Sequence, residues 1–174
     1  MAGMRRVILL RHAKSSWADP DLADHDRPLN KRGRHAAPLI GAWLADRGFI
    51  PDHVICSSSA RTVETWGLLR PALRVAPAPE IEPRLYHADP DAMLDLLRGA
   101  PDAAQTVMLI GHEPGIGAFA ERLSAPGAPP GCARAFAKFP TAAAAVIDLP
   151  VSRWAETELG AGRFHAFATP RDLA

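Results

Sequence analysis

Two arginines and two histidines follow short apolar runs of the sequence. Arg11 and His12 directly follow one run, Arg61 lies shortly after a second, and His112 follows Gly111 at the end of a third. An arginine fork neutralises and orients a tetrahedral dianion, while a histidine ring supplies a hydrogen-bond donor or a nucleophilic nitrogen. These residue types predict a site that holds a phosphate-like group, provided that the fold brings them together.

The three apolar runs predict the elements that position these side chains. The runs cover residues 7–10, 53–56 and 107–110, and each is followed by polar or small residues and then by a helical pattern. Uninterrupted aliphatic runs suit parallel strands that are covered on both faces. Strands alternating with helices predict an α/β fold of three layers, α/β/α, with a mostly parallel central sheet. Ligands bind such sheets beyond the carboxyl ends of the strands, so we expect the four side chains to converge there.

Helices are predicted from apolar spacing and from end signals. One buried helix face is predicted by residues at helical spacing, namely Ala36, Leu39, Ile40, Trp43 and Leu44, with Gly48 as the stop. A second helix is predicted from Ala60 through Leu69, ended or kinked by Pro71, and another over residues 116–123. A further helix should begin at Asp89-Pro90, where an N-cap acceptor precedes a proline.

The C-terminal third carries three more strand patterns, at residues 142–149, 154–159 and 163–168. Gly160 and Gly162 separate the last two, which predicts an antiparallel hairpin against the edge of the sheet. Residues 124–140 are rich in proline, glycine and alanine and predict a loop.

Length and composition predict a single domain over residues 1–174. The net charge is +1, so no overall field favours nucleic acid or an anionic membrane. No run approaches the roughly 20 apolar residues of a membrane helix, and the apolar run after the first arginines is too short for a secretory signal. We therefore expect a cytoplasmic protein with free thiols at Cys56 and Cys132.

The five remaining histidines could bind a metal, but no His-x-x-x-His or His-x-His spacing occurs. The sequence predicts neither a metal site nor an organic cofactor. His25, His35 and His165 are expected to be solvated, and His53 to be partly buried in a strand. His87 stays open, because its loop could reach the site.

The motifs, taken in order, resemble those of the histidine phosphatase superfamily, and the small size resembles its SixA-like phosphohistidine phosphatases. Leu9-Leu-Arg-His-Ala13 is similar to the Arg-His-Gly signature, residues 57–65 to the second motif, and Gly111-His112 to the third. Residues 27–33 resemble the segment that precedes the first long helix. The resemblance implies a phosphoglycerate mutase-like fold, with His12 and His112 catalytic. It also implies a phosphate pocket formed by Arg11, Arg61 and His112.

One departure from the family pattern concerns the general acid. Many members carry a carboxyl group after the second helix that protonates an alkoxide leaving group, whereas Arg84 falls near that position here. Glu82 is close in sequence, but a solvated carboxylate before a proline is the better interpretation. An imidazole leaves phosphohistidine with far less help, because its ring can already be protonated on the other nitrogen. A weak or missing acid therefore favours P–N over P–O substrates.

The sequence thus predicts a metal-independent phosphatase that acts through a phosphohistidine enzyme intermediate on a phosphorylated protein or a small phosphorylated molecule. Phosphohistidine on a protein is the favoured substrate. Two alternatives stay open: a phosphomonoesterase acting on a metabolite or a phosphoprotein ester, and a non-catalytic module that binds phosphoproteins. The oligomeric state is also open.

Overall fold

A single six-stranded sheet forms the centre of the computed structural model, which describes residues 3–74 and 77–174. The strands are β1 (Arg5–Arg11), β2 (His53–Ser57), β3 (Glu80–Glu82), β4 (Thr106–Gly111), β5 (Ala144–Leu149) and β6 (Arg163–Ala168). Their order is β3-β2-β4-β1-β5-β6. The first four strands run parallel, β5 is antiparallel to β1, and β6 is antiparallel to β5. The predicted α/β fold class is confirmed.

Helices cover both faces of the sheet. They are α1 (Lys31–Asp46), α2 (Ala60–Leu69), α3 (Pro90–Arg98), α4 (Gly115–Leu123), α5 (Pro130–Ala133) and α6 (Pro170–Leu173). Helices α1 and α2 contribute to one apolar cluster, while α3 and α4 contribute to the other. In β1, Val7 and Leu9 point into one cluster and Ile8 and Leu10 into the other. Because both faces of this strand are buried, its sequence is apolar without interruption.

The ends of several helices follow the sequence signals. Helix α2 covers the predicted residues and continues as a 3-10 turn over Arg70–Leu73. In α3, the Asp89 carboxylate accepts a hydrogen bond from the Ala92 N–H at 2.9 Å, as an N-cap does. None of the helices in the described ranges combines the length and apolarity that a membrane crossing demands.

The predicted buried face of α1 is wrong at Leu39, whose side chain is 38% exposed. Small residues define the buried stripe instead, since Ala37 and Gly41 lie on it with Ile40. A Cβ atom on Gly41 would lie 2.7 Å from the Leu69 carbonyl oxygen. The helix therefore turns its small residues towards α2 to allow close approach, and this leaves Leu39 at the surface.

The predicted C-terminal hairpin is also wrong in its pairing. Residues 154–159 do not form a strand, because Trp154–Glu156 is a 3-10 turn. The Trp154 side chain is fully buried, and its indole N–H donates to the Ala104 carbonyl at 2.9 Å. The antiparallel pair at the sheet edge consists of β5 and β6 instead. The predicted loop over 124–140 contains α5 and a 3-10 turn, and Cys132 is buried there.

The first turn of α1 packs against the backbone just beyond His12. A Cβ atom on Gly33 would lie 2.1 Å from the Lys14 carbonyl oxygen, which also accepts the Asn30 N–H at 3.0 Å. We expect Gly33→Ala to lower the free energy of unfolding by about 1–3 kcal/mol, because backbone atoms have to move apart. Urea unfolding followed by circular dichroism measures this change.

Gly67→Ala is the matched control in α2. Beyond its two chain neighbours and the backbone of its own helix, no described atom lies within 4 Å of a Cβ atom placed on Gly67. This substitution is expected to raise the free energy of unfolding by roughly 0.5–1 kcal/mol, because alanine loses less backbone entropy in a helix. Equal stability of the two variants would contradict the close contact described for Gly33.

Candidate active site

The four residues singled out in the sequence line one cavity beyond the carboxyl ends of the strands. Arg11 is the last residue of β1 and His12 follows it, Arg61 lies in the first turn of α2, and His112 follows β4. The cavity has a volume of about 730 Å³, and all four side chains border it. The ring centroids of His12 and His112 are 5.3 Å apart. The structure therefore brings together every residue of the predicted phosphate site.

His12 is held by its backbone and by one ring nitrogen. Its N–H donates to the Gly111 carbonyl at 3.1 Å, and its own carbonyl accepts the Ala142 N–H at 2.9 Å. The Nδ1 atom lies 2.7 Å from the Ala13 carbonyl oxygen, which only accepts, so Nδ1 carries the proton. The lone pair of the neutral ring is then on Nε2. This tautomer is the one that a nucleophilic imidazole requires.

His12 and His112 are both neutral at ordinary pH. Burial, followed by the charges of Arg61 and Arg11, lowers the pKa of His12 to about 4, although the bond to Ala13 opposes the shift. Burial, followed by His12 and Arg61, lowers the pKa of His112 to about 3. A low pKa keeps the Nε2 lone pair of His12 available where an ordinary histidine would be partly protonated.

His112 is oriented by a serine that sequence analysis did not single out. The Ser57 Oγ lies 2.8 Å from Nε2 of His112 at the end of β2. With Ser57 donating this bond, the proton of His112 is on Nδ1. In the described part of the chain, Nδ1 has no hydrogen-bond partner although it is buried. His112 can thus offer one N–H donor to a ligand.

Arg61 is anchored by Asp24, a residue for which the sequence carried no signal. The Arg61 Nη1 donates to the Asp24 carbonyl at 2.8 Å, and Nη2 to the Asp24 carboxylate at 3.1 Å. Tyr86 also donates its hydroxyl to this carboxylate, and Arg27 donates Nε at 3.1 Å. The Tyr86 hydrogen bond, followed by the Arg61 bond, holds the pKa of Asp24 far below its usual range. Asp24 is therefore a carboxylate that positions Arg61.

Three buried nitrogens of the site lack a hydrogen-bond partner among residues 3–74 and 77–174. They are Nε of Arg11, Nε of Arg61 and Nδ1 of His112. Arg11 is fixed at the other end of its guanidinium, where Nη1 donates to the Phe139 carbonyl at 3.0 Å. A buried donor without an acceptor costs about 1–3 kcal/mol. Three such donors at one cavity indicate a site that a ligand with several acceptor oxygens completes.

The rim of the cavity contains Trp17, Arg27 and His87. Trp17 is 76% exposed, and the Arg27 Cζ lies 3.4 Å from its ring centroid. His87, left open by the sequence, is exposed, and its ring centroid is 6.3 Å from that of His112. It belongs to the wall of the site and not to its buried part. His25, expected to be solvated, is half-buried and bonded to Ser58 at 2.9 Å.

Glu82, the weak candidate for the general acid, is not among the residues that line the cavity. Its carboxylate binds the Arg84 side chain at 2.9 Å, and this hydrogen bond lowers the pKa of Glu82. A second carboxylate, Glu113, does line the cavity, but it accepts the Gly117 N–H at 2.6 Å in the first turn of α4. Across the two described ranges, no three His, Cys, Asp or Glu side chains are grouped as metal ligands.

The depressed pKa of His12 leads to a pH prediction. An ordinary histidine titrates near pH 6.5, so in the unfolded chain His12 gains its proton below that value. In the folded protein we expect the ring to stay neutral down to about pH 5 and to titrate near pH 4. Titration of the Cε1–H signal by NMR, with His12→Ala to assign it, measures this value. A midpoint near 6.5 would contradict the burial described here.

Comparison with known proteins agrees with this geometry. The model of the histidine phosphatase superfamily (branch 1) matches residues 7–96. A curated but uncharacterized protein of Mycobacterium leprae is 39% identical over 166 residues, which covers 93% of this chain and all of that protein. The chain belongs to the histidine phosphatase superfamily.

Solved structures narrow the class further. A structure from Agrobacterium tumefaciens that bears the name phosphohistidine phosphatase SixA is 32% identical, with a TM-score of 0.77, and covers 95% of this chain and 99% of that one. A structure of the same name from Nakamurella multipartitia is 29% identical, with a TM-score of 0.82, and covers 97% and 98%. The chain therefore lies in the SixA-like branch, and its fold is phosphoglycerate mutase-like. Family and neighbours support a histidine phosphatase-type activity.

Proposed function

We propose that the protein hydrolyses phosphohistidine on a protein substrate, with His12 as the nucleophile. The observation that carries the proposal is the state of His12 itself. Its Nδ1–H is held by the Ala13 carbonyl, its ring is neutral, and Nε2 has no hydrogen-bond partner among the described residues. His12 shares its cavity with two arginines and His112. A free imidazole nitrogen beside dianion-binding groups is the arrangement that phosphoryl transfer to histidine requires.

In the first step, the Nε2 lone pair attacks phosphorus in line with the leaving group. The bond from phosphorus to Nε2 forms as the bond to the leaving nitrogen breaks. Arg11 and Arg61 neutralise the equatorial oxygens, and Nδ1–H of His112 donates to one of them. The leaving imidazole, already protonated on its other nitrogen, departs as a neutral ring and needs no further proton.

In the second step, water attacks the phosphoryl group on His12. The phosphorus–nitrogen bond breaks, its electron pair returns to Nε2, and inorganic phosphate leaves as H2PO4−, which carries the oxygen and both protons of the water. The Ala13 carbonyl keeps the proton on Nδ1 throughout, so His12 is regenerated in its starting tautomer. Positioning and charge stabilisation supply the catalysis, and both steps use groups that line the cavity.

The carboxylates around the cavity support a nitrogen leaving group. Asp24 is held as a carboxylate by Tyr86 and Arg61, Glu113 accepts the Gly117 N–H in the first turn of α4, and Glu82 lies outside the cavity with Arg84. None of the three is a carboxylic acid directed at the leaving group, so none is proposed to protonate an alkoxide. General acid catalysis contributes typically ~10²–10⁴ in rate, and an alkyl phosphate would have to react without that help.

The test compares leaving groups on the wild-type protein. We expect kcat/KM for a phosphohistidine peptide to exceed that for an alkyl phosphate such as glycerol phosphate by ~10²–10⁴. Para-nitrophenyl phosphate, whose phenolate leaves without a proton, should lie between them. Glu82→Gln should leave the ratio unchanged. Equal rates for the alkyl phosphate and the phosphohistidine peptide would support a phosphomonoesterase and overturn the proposal.

A further inference from the structure

A second cavity of about 870 Å³ lies beside the active site. Its wall carries six basic side chains, all exposed, and we call it the basic groove: Lys14, Arg32, His35, Arg134, Lys138 and Arg171. These residues come from the segment after β1, the first turns of α1, the region after α5, and α6. Four separate parts of the chain thus place positive charge around one opening.

The positive charge of the basic groove is largely uncompensated. Asp172 is the one carboxylate side chain among the described lining residues, and it binds Arg134 at 2.6 Å. This hydrogen bond with Arg134 lowers the pKa of Asp172 to about 2, so the pair is fully formed. The other lysine and arginine side chains of the groove form no ion pair within the described ranges. Although the net charge of the chain is only +1, several of its lysine and arginine side chains that form no ion pair in the described ranges therefore lie together around the basic groove.

The floor of the basic groove is apolar. Leu39, which α1 leaves 38% exposed, contributes to it with Ala36, Phe167 and two prolines. The Arg134 guanidinium lies over the Phe167 ring, with Cζ 4.9 Å from the centroid. A small anion needs no apolar floor, whereas a polypeptide offers backbone and aliphatic surface to such a floor and charged side chains to the rims.

The basic groove adjoins the active-site cavity. Lys14 and Thr141 line both. Lys14 is two positions beyond His12, and Thr141 precedes the Ala142 N–H that binds the His12 carbonyl. A chain bound in the groove would therefore lie next to the cavity in which phosphoryl transfer is proposed.

We infer that the basic groove binds an acidic segment of the polypeptide that carries the phosphoryl group. This inference rests on the proposed function and adds a recognition element to it. Complementary charge speeds encounter and lowers KM, while the chemical step stays with the residues of the cavity. Substrates without a polypeptide gain nothing from the groove.

A binding experiment tests the groove independently of catalysis. The probe is a fluorescent peptide rich in aspartate and glutamate, with an Asn/Gln version as its neutral counterpart, followed by anisotropy. The combined variant Arg32→Glu, Lys138→Glu and Arg171→Glu is expected to weaken binding of the acidic peptide at least tenfold. The control Arg47→Glu, Arg70→Glu and Arg163→Glu has the same net charge but lies outside both cavities. It should change binding less than threefold.

Kinetics supply the second measurement. With a phosphohistidine peptide flanked by acidic residues, the groove variant should raise KM at least tenfold with little change in kcat. With para-nitrophenyl phosphate it should match the wild type. A KM that stays unchanged, or a loss shared equally by the groove variant and the control, overturns the inference.

The outcomes separate the two proposals. If phosphohistidine peptides are not hydrolysed, the proposed function fails, while the anisotropy result still decides the groove. If they are hydrolysed but acidic and neutral peptides bind alike, only the groove inference fails. The groove inference also fails if the groove variant binds phosphatidylserine vesicles or a single-stranded oligonucleotide more weakly but binds the acidic peptide as the wild type does.

Discussion

Replacement of His12 by alanine is expected to lower kcat by ~10⁴ or more, because it removes the atom to which the phosphoryl group is transferred. Rapid quench with a ³²P-labelled substrate should show an acid-labile, base-stable phosphoenzyme in the wild type and none in the variant. The substitution also removes the contact between the ring and the Ala13 carbonyl, but the backbone hydrogen bonds of residue 12 remain. We therefore expect the variant to fold.

His53→Ala is the matched control for this loss. It removes an imidazole ring at the amino end of β2, away from the cavity, where His53 binds Glu80 at 3.0 Å. Full activity is expected there. An active His12→Ala protein would overturn the assignment of the nucleophile, since among the described residues that line the cavity no other histidine has its Nδ1 held by a backbone carbonyl.

Replacement of Arg61 by alanine should lower kcat/KM by ~10²–10³, the loss typical of one donor to a developing oxyanion. The Arg61 side chain is buried, its Nη atoms are fixed by Asp24, and its Nε has no hydrogen-bond partner in the described part of the chain. Arg61→Lys keeps the charge but not the fork, so most of the loss should persist. The inhibition constant of vanadate should rise in parallel with the loss of kcat/KM.

Two further variants show whether Arg61 acts on the substrate. Arg84→Ala removes an arginine that is paired with Glu82 outside the cavity, and it should be fully active. Asp24→Asn weakens the hydrogen bonds that position Arg61 but leaves the guanidinium in place, so it should lower kcat/KM clearly less than Arg61→Ala does. If both substitutions lower kcat/KM equally, Arg61 serves only to hold the loop that contains Asp24.

Sequence reasoning located the parts of the site that follow directly from strands. Arg11, His12 and His112 could be placed because a doubly covered strand is apolar throughout, and the first polar residue after it lies at the sheet edge. Arg61 could be placed because the next helix begins immediately after β2. These inferences need only local pattern and the geometry common to parallel sheets.

The residues that sequence reasoning missed contact the site from parts of the chain that are distant in sequence. Asp24 lies 37 positions from Arg61, and Ser57 lies 55 from His112. Nothing in the local composition distinguishes Asp24 from the other aspartates of its loop. The pairing of the C-terminal strands was predicted wrongly for a similar reason. The buried Trp154 indole N–H donates to the carbonyl of Ala104, which is distant in sequence, and residue 154 lies in a turn instead of a strand.

The Ala142 N–H donates hydrogen bonds to the carbonyls of Arg11 and His12, so residues about 130 positions apart depend on each other. The ribosome makes His12 well before the segment entering β5, whose backbone holds it in place. A nascent chain can form β1, β2 and β4 before β5 has left the ribosome, but its cavity lacks the wall at Thr141. We therefore expect ribosome-bound chains that end before β5 to be inactive, although they carry all four residues of the phosphate site.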